Sequence, residues 1–321
     1  MEPTKTSMPK RIGFACKWID HAGQTNGVKP TDNCKQYNTG STTVAWLGRQ
    51  RQDVAEQKLW DLMVDNIESI RKLVIKVGEQ DEHLRMVRLG SDLLPVYTHA
   101  DWRYYWRQPD VIRYCEKHFG EIGRRARDRD VRLSFHPGQF TVLASDNPDI
   151  VERSIEEFEY HATMAAWMGF GRSFQDFKIN VHISGRQGPD GIRKAYQRLS
   201  PEARNCITIE NEENSWGLDD CLELHDLVPI VLDIHHNWIR EGSYIDVDSD
   251  DRVKRVMDSW RGIRPTCHYS VSREDYLVGH DANVLPDHTQ LLSQGYKKQK
   301  LRAHSDFYWN HAVNQLSLIH I

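Results

Sequence analysis

Short runs of alternating apolar and polar residues recur along the chain, each followed by a longer stretch with apolar positions at helical spacing. Alternation over a handful of residues marks a strand, and recurrence at i, i+3, i+4 and i+7 marks an amphipathic helix. Strands are expected at 11–16 (RIGFAC), 84–89 (LRMVRL), 131–135 (VRLSF), 177–182 (FKINVH), 204–209 (RNCITI), 229–232 (PIVL) and 264–268 (RPTCH). Between them, Leu59, Leu62, Met63, Ile67, Ile70, Leu73 and Val74 form one helical stripe. Val151, Ile155, Phe158, Ala162 and Ala165 form another, entered through Asn147 as cap and Pro148 at the first helical position. Less regular helical stretches fall at about 110–127, 189–199, 218–226 and 250–259.

Strands alternating with helices predict an α/β protein with a parallel sheet. Seven such units without a domain break favour a TIM (β/α) barrel over a doubly wound sheet. A doubly wound sheet would want a glycine-rich phosphate turn after its first strand, and GFACKW offers none. The expected organisation is a polar, disordered tail at 1–10 followed by a single domain over 11–321.

The ends of these strands carry the chemistry. His136, His182 and His268 end the third, fourth and seventh strands, Glu210 the fifth and Asp233 the sixth; His235 and His236 follow at once. His99 lies in the loop after the second strand, and His304 in the last long loop. In the fourth strand Phe177, Ile179 and Val181 share one face, leaving Lys178, Asn180 and His182 on the other. The apolar set belongs under the helices, so the polar ends point into the barrel mouth, where this fold assembles active sites. A single loop histidine is most often an ordinary polar residue. Imidazoles and carboxylates gathered in numbers leave buried charges uncompensated unless a cation joins them. The mixed nitrogen and oxygen set suits zinc, manganese or iron rather than calcium or magnesium, and has donors enough for two or three ions. Such sites serve phosphoryl chemistry and, equally, sugar isomerisation; spacing alone does not choose.

Composition bounds the rest. The 321 residues are 39% hydrophobic and 27% charged, as in a water-soluble globular chain. No run reaches the roughly 18 apolar residues of a membrane span, and the start, MEPTKTSMPKR, lacks the apolar core of a secretion signal. The six cysteines are scattered with no CxxC spacing; Cys206 and Cys267 fall in expected strands and read as reduced, buried thiols. A cytoplasmic protein without membrane contact is the expectation. The net charge of −4 neither supports nor excludes a nucleic-acid partner.

RIGFACKW, RLGSDLLPVYTH, LSFHPGQF, NVHISG, ITIENEE and VLDIHHN, in that order, resemble the ultraviolet-damage endonuclease family over about residues 11 to 310. The resemblance implies a single TIM barrel that uses manganese, two or three ions, with zinc or another divalent metal as substitute. It implies a monomer that nicks ultraviolet-damaged double-stranded DNA immediately 5′ to photoproducts, leaving a 3′-hydroxyl. Carried over by motif, His136, His182 and Glu210 would hold one ion, and Glu210, Asp233 and His268 a second. His236 and His304 would serve a third, with Glu210 and His99 as catalytic candidates. Gln139 and Phe140 resemble the family's probe pair, which wedges into DNA opposite the lesion. WRYYWR (102–107) mixes aromatics and arginines, as a DNA-facing surface or as a helical lid packed on the barrel. KKQKLRAH (297–304) is a candidate phosphate-contacting loop, whereas RRARDR (124–129) reads as a solvated helix end.

Three departures stand out. Thr266 occupies the place of a modified lysine found in some members, and Phe140 that of a tyrosine. After DFYWN the family continues to an eighth strand with a glutamate ligand, whereas this sequence ends at HAVNQLSLIHI with no acid after Asp306. The expectation is a barrel cut short before its eighth strand, with lower stability and impaired activity. Competing readings are a protein that binds damaged DNA without cutting it, or a sugar isomerase or epimerase on the same barrel.

Overall fold

The computed structural model describes residues 10–19 and 32–318; the expected tail at 1–10 lies outside them apart from Lys10. Six parallel strands pair in strict chain order: β1 (Phe14–Ala15), β2 (Met86–Arg88), β3 (Arg132–Phe135), β4 (Lys178–His182), β5 (Ile207–Glu210) and β6 (Ile230–Val231). Parallel neighbours need crossovers, and helices supply them between consecutive strands. The architecture is a (β/α) barrel.

The seventh expected strand is reduced to a bridge. Asp233 and His268 pair in parallel, with the His268 amide donating to the Leu232 carbonyl at 2.9 Å and the Ile234 amide to the His268 carbonyl at 3.1 Å. Among the described residues no strand pairing joins β1 to this seventh segment. What spans the gap is Tyr308, whose hydroxyl reaches the Gly13 carbonyl at 3.4 Å. A cavity of about 2130 Å³ opens there and runs from the barrel floor to its mouth.

The helices form because their apolar stripes have that sheet to cover. The helix Gln52–Gly78 buries Leu59, Met63, Ile67, Ile70, Leu73 and Val74. The helix Pro148–Trp167 opens as expected, the Asn147 side chain accepting from the Asp149 amide and Pro148 standing first. It buries Ile155, Phe158, Ala162 and Ala165. Between it and the helix Pro109–Asp128 the approach is so close that a Cβ on Gly123 would lie 1.8 Å from the Met168 carbonyl oxygen. No helix among the described residues is long and apolar enough to cross a membrane.

Several boundaries differ from the sequence pattern. The run 204–209 is not all strand: Pro201–Cys206 is helical, capped by Ser200, and the strand begins at Ile207. Cys206 is therefore buried at a helix end and Cys267 is half-buried beside a bridge, although both are free thiols as expected. The runs 11–16 and 229–232 contribute two residues each to the sheet, Lys17 turning away at a φ of 99°. The stretch 218–226 is helical only over Leu218–Leu222. The terminal run HAVNQLSLIHI begins as a helix, His311–Leu318.

Candidate metal centre

Strand register sets the site. Ser134 lies beside Lys178 and His182 beside Glu210, so these side chains emerge on one face. Met86, Arg88, Arg132, Ser134, His136, Lys178, His182 and Glu210 all line the central cavity, whereas Leu133, Phe135, Ile179 and Ile209 are buried away from it. The parity expected for β4 is the parity observed.

Glu210 is the hub. Its Oε2 lies 2.9 Å from His268 Nδ1, 3.3 Å from His136 Nε2 and 3.8 Å from His182 Nε2. Its Oε1 lies 3.5 Å from His236 Nδ1, which is itself 3.7 Å from Asp233 Oδ2. Two donor triads, His136–His182–Glu210 and Glu210–Asp233–His236, each keep their ligand atoms within 4.8 Å of one another and share Glu210. His304 closes the ring cluster, its centroid 5.4 Å from that of His236 and 4.9 Å from that of His235.

The tautomers favour a cation. His136 Nδ1 donates to the Pro137 carbonyl at 2.9 Å, leaving Nε2 as an unprotonated acceptor, yet this Nε2 sits 3.2 Å from His182 Nε2. Two imidazole nitrogens facing each other beside a carboxylate fit a shared metal ion. The electrostatics agree. Burial would raise the Glu210 carboxyl, but His268 and His182 with the His136 hydrogen bond outweigh it and hold it well below the usual range. Burial lowers His136, and takes His268 down to about 4, so both are held neutral as ligands must be. Burial also opposes charge on His236, but Asp233, Glu210 and Glu213 carry it up to about 9.

The UV-endonuclease UvdE family model matches residues 11–311. The chain belongs to this family. It is 30% identical to the UV-damage endonuclease of Schizosaccharomyces pombe over 67% of its own length and 38% of that protein. It is 27% identical to the UV DNA damage endonuclease of Bacillus mycoides over 73% of itself and 72% of the relative. The chain thus spans less than two fifths of the fungal relative's length. The crystal structure of SacUVDE superposes with a TM-score of 0.66 at 18% identity, covering 98% of this chain and all of that one; this likeness is one of fold.

With the family in view, the remaining candidate residues can be placed. Ser91 Oγ donates to the His136 carbonyl at 2.6 Å and pins the start of the turn. Beyond it, Gln139 stands exposed at the cavity edge and Phe140 is 86% exposed. His99 is not brought to the cluster. It is 40% exposed, its Nδ1 faces Asp101 at 3.8 Å, and it does not line the cavity, because the loop after β2 carries it to the outer surface. In WRYYWR, Trp102, Tyr105 and Trp106 are buried, whereas Tyr104 and Arg107 are exposed, so the aromatic side of the segment packs on the barrel. Arg127 of RRARDR is not simply solvated: it donates to the Met168 carbonyl at 2.9 Å.

The structure adds residues that sequence reasoning passed over. Asn180 donates to Glu210, and Thr208 holds the Asn180 carbonyl oxygen at 2.7 Å, forming a relay that aims the hub. Asn211 exchanges hydrogen bonds with the Asp233 backbone at 2.8 and 3.0 Å. Glu213 lies 3.7 Å from His236 Nε2 and accepts from Arg302 Nε at 2.7 Å, tying the loop before His304 to the centre. Lys178 Nζ reaches His268 Nε2 at 3.2 Å. Asn180 and Lys178 were visible on the inward parity set; the Glu213–Arg302 pair joins residues far apart in sequence and had no local signal.

Proposed function

We propose that this chain is a metal-dependent DNA-repair endonuclease that nicks ultraviolet-damaged duplex DNA immediately 5′ to cyclobutane dimers and 6-4 photoproducts. The observation that carries the proposal is Glu210, buried among His136, His182, Asp233, His236 and His268, below a rim that exposes Gln139 and Phe140. His136, His182 and Glu210 would hold one ion, and Glu210 with Asp233 and His268 a second. His236 and His304 would complete a third position. Manganese is the first choice and zinc the alternative, since both accept this mixed donor set.

When bound, such ions supply a water-derived nucleophile at neutral pH and neutralise charge on the transferring phosphate. The protein's part is positioning. Asn180 and Thr208 fix the Glu210 carboxylate, and the Pro137 carbonyl fixes the His136 tautomer. The cavity, about 2130 Å³ against a typical ligand pocket of roughly 300–1,000 Å³, has room for an extruded dinucleotide. A photodimer is poorly stacked, so extruding it costs less than extruding sound bases, and Phe140 fills the gap left in the helix. Water adds to phosphorus and the P–O3′ bond breaks, leaving a 3′-hydroxyl on one side and a 5′-phosphate on the damaged side. The chain acts as a monomer.

Metal removal tests this reading. Supercoiled plasmid, irradiated or not, is treated with chain stripped by EDTA and then resupplied with manganese. Relaxation of the irradiated plasmid alone, and only with metal restored, is expected. Relaxation without metal, or of both plasmids equally, would overturn the proposal.

A further inference from the structure

Below the metal donors the wall of the same cavity carries a group of cations. Arg88 on β2, Ser134 on β3 and Lys178 on β4 stand side by side in register and face inward at one level. Arg132 lies two residues below Ser134, and across the cavity the seventh segment presents Arg264 and Thr266. Arg132 donates to the Arg264 carbonyl at 2.9 Å and lies 5.9 Å over the Trp260 ring. Lys178 is engaged with His268.

The Arg88 guanidinium forms no ion pair with any described residue, although it lies within this space. The Thr266 side chain is 4% exposed and its hydroxyl has no hydrogen-bond partner; Arg264 Nε is also buried and unpartnered. Of the acids that line the cavity, Asp130 pairs with Arg11, Asp176 accepts from the backbone amides of Gly171 and Arg172, and Glu210 faces the histidines above. An anion placed among these cations would satisfy the unfilled donors beside them.

We propose that this part of the cavity binds a small oxyanion of the phosphate, sulfate or carbonate class, gripped by the Arg88 guanidinium and the Thr266 hydroxyl, with Arg264 and Lys178 alongside. Charge-assisted hydrogen bonds from a guanidinium suit an oxyanion, and the hydroxyl completes its coordination. The site lies beneath the metal donors and is separate from the rim where DNA would enter.

The test uses the full chain in EDTA, without DNA, so its result is independent of any nicking activity. Inorganic phosphate is titrated calorimetrically at constant ionic strength. Saturable one-site binding and a phosphate-dependent rise in melting temperature are expected. Arg88→Met and Thr266→Val should each weaken phosphate binding about tenfold or more, while Arg51→Ala, at an exposed position, leaves it unchanged. Thr266→Val preserves shape and keeps the test open if Arg88→Met fails to fold. Absence of saturable binding, equal affinity in a folded Thr266→Val variant, or loss of binding in Arg51→Ala would overturn the site.

Discussion

Glu210 gathers the candidate metal donors around one side chain. Four histidines approach its two oxygens, and Asn180 fixes its orientation. Glu210→Gln keeps the shape and removes the shared charge, so incision should fall at least about a thousandfold, with weaker manganese binding in calorimetry. Normal incision by that variant would remove Glu210 from the mechanism. Asn180→Leu leaves every proposed ligand in place and should cost about ten- to a hundredfold in metal affinity, the usual effect of losing a partner behind a ligand. Phe140 makes a different prediction. At 86% exposure it contributes little to folding, so Phe140→Ala should keep the wild-type melting temperature. It should lose roughly tenfold in preference for damaged over undamaged duplex, the loss of one stacking contact. Unchanged preference in competition binding would make it an ordinary loop residue.

At the scale of elements, the packing of two helices can be tested at one atom. Alanine is the better helix former than glycine by about 1 kcal/mol, yet a Cβ on Gly123 meets the Met168 carbonyl at 1.8 Å. The clash outweighs the propensity, and Gly123→Ala should destabilise by about 3 kcal/mol in denaturant unfolding; a neutral or stabilising result would mean the two helices stand further apart. The same scale shows what could be read in advance. Alternation in β4 and β5 placed Lys178, Asn180, His182 and Glu210 inward, because a strand has only two faces and the helices claim the apolar one. The 204–206 error arose where RNC continues into ITI without a polar break; the informative signal was Ser200-Pro201, a helix start that the alternation obscured. The distance of His99 from the cluster was not legible because a strand fixes direction only to its own end, and ten residues lie between Arg88 and His99. The Glu213–Arg302 pair and the cations around Arg88 depend on which strands lie opposite one another, which periodicity does not encode.

At the scale of the molecule, stability should follow pH through buried histidines that the chemistry does not use. His161 is fully buried, its Nδ1 donating to the Glu157 carbonyl at 2.8 Å, and burial lowers it to about 4. Its folded value lies below the unfolded one near 6.5, so the unfolded chain binds the extra proton on acidification. The stabilisation is complete above about pH 6.5 and is lost as pH falls towards 4, by about 3 kcal/mol at most. His161→Phe should flatten that part of the metal-free stability profile; an unchanged slope would place the acid sensitivity elsewhere.

The proposed incision can be tested directly. The measurement is incision of a duplex oligonucleotide carrying one thymine photodimer, with purified chain and manganese, the nick mapped at nucleotide resolution. The proposed function predicts a single break immediately 5′ to the dimer, with a 3′-hydroxyl and no break in the undamaged duplex. Manganese binding without any break, or breaks placed without regard to the dimer, would contradict it.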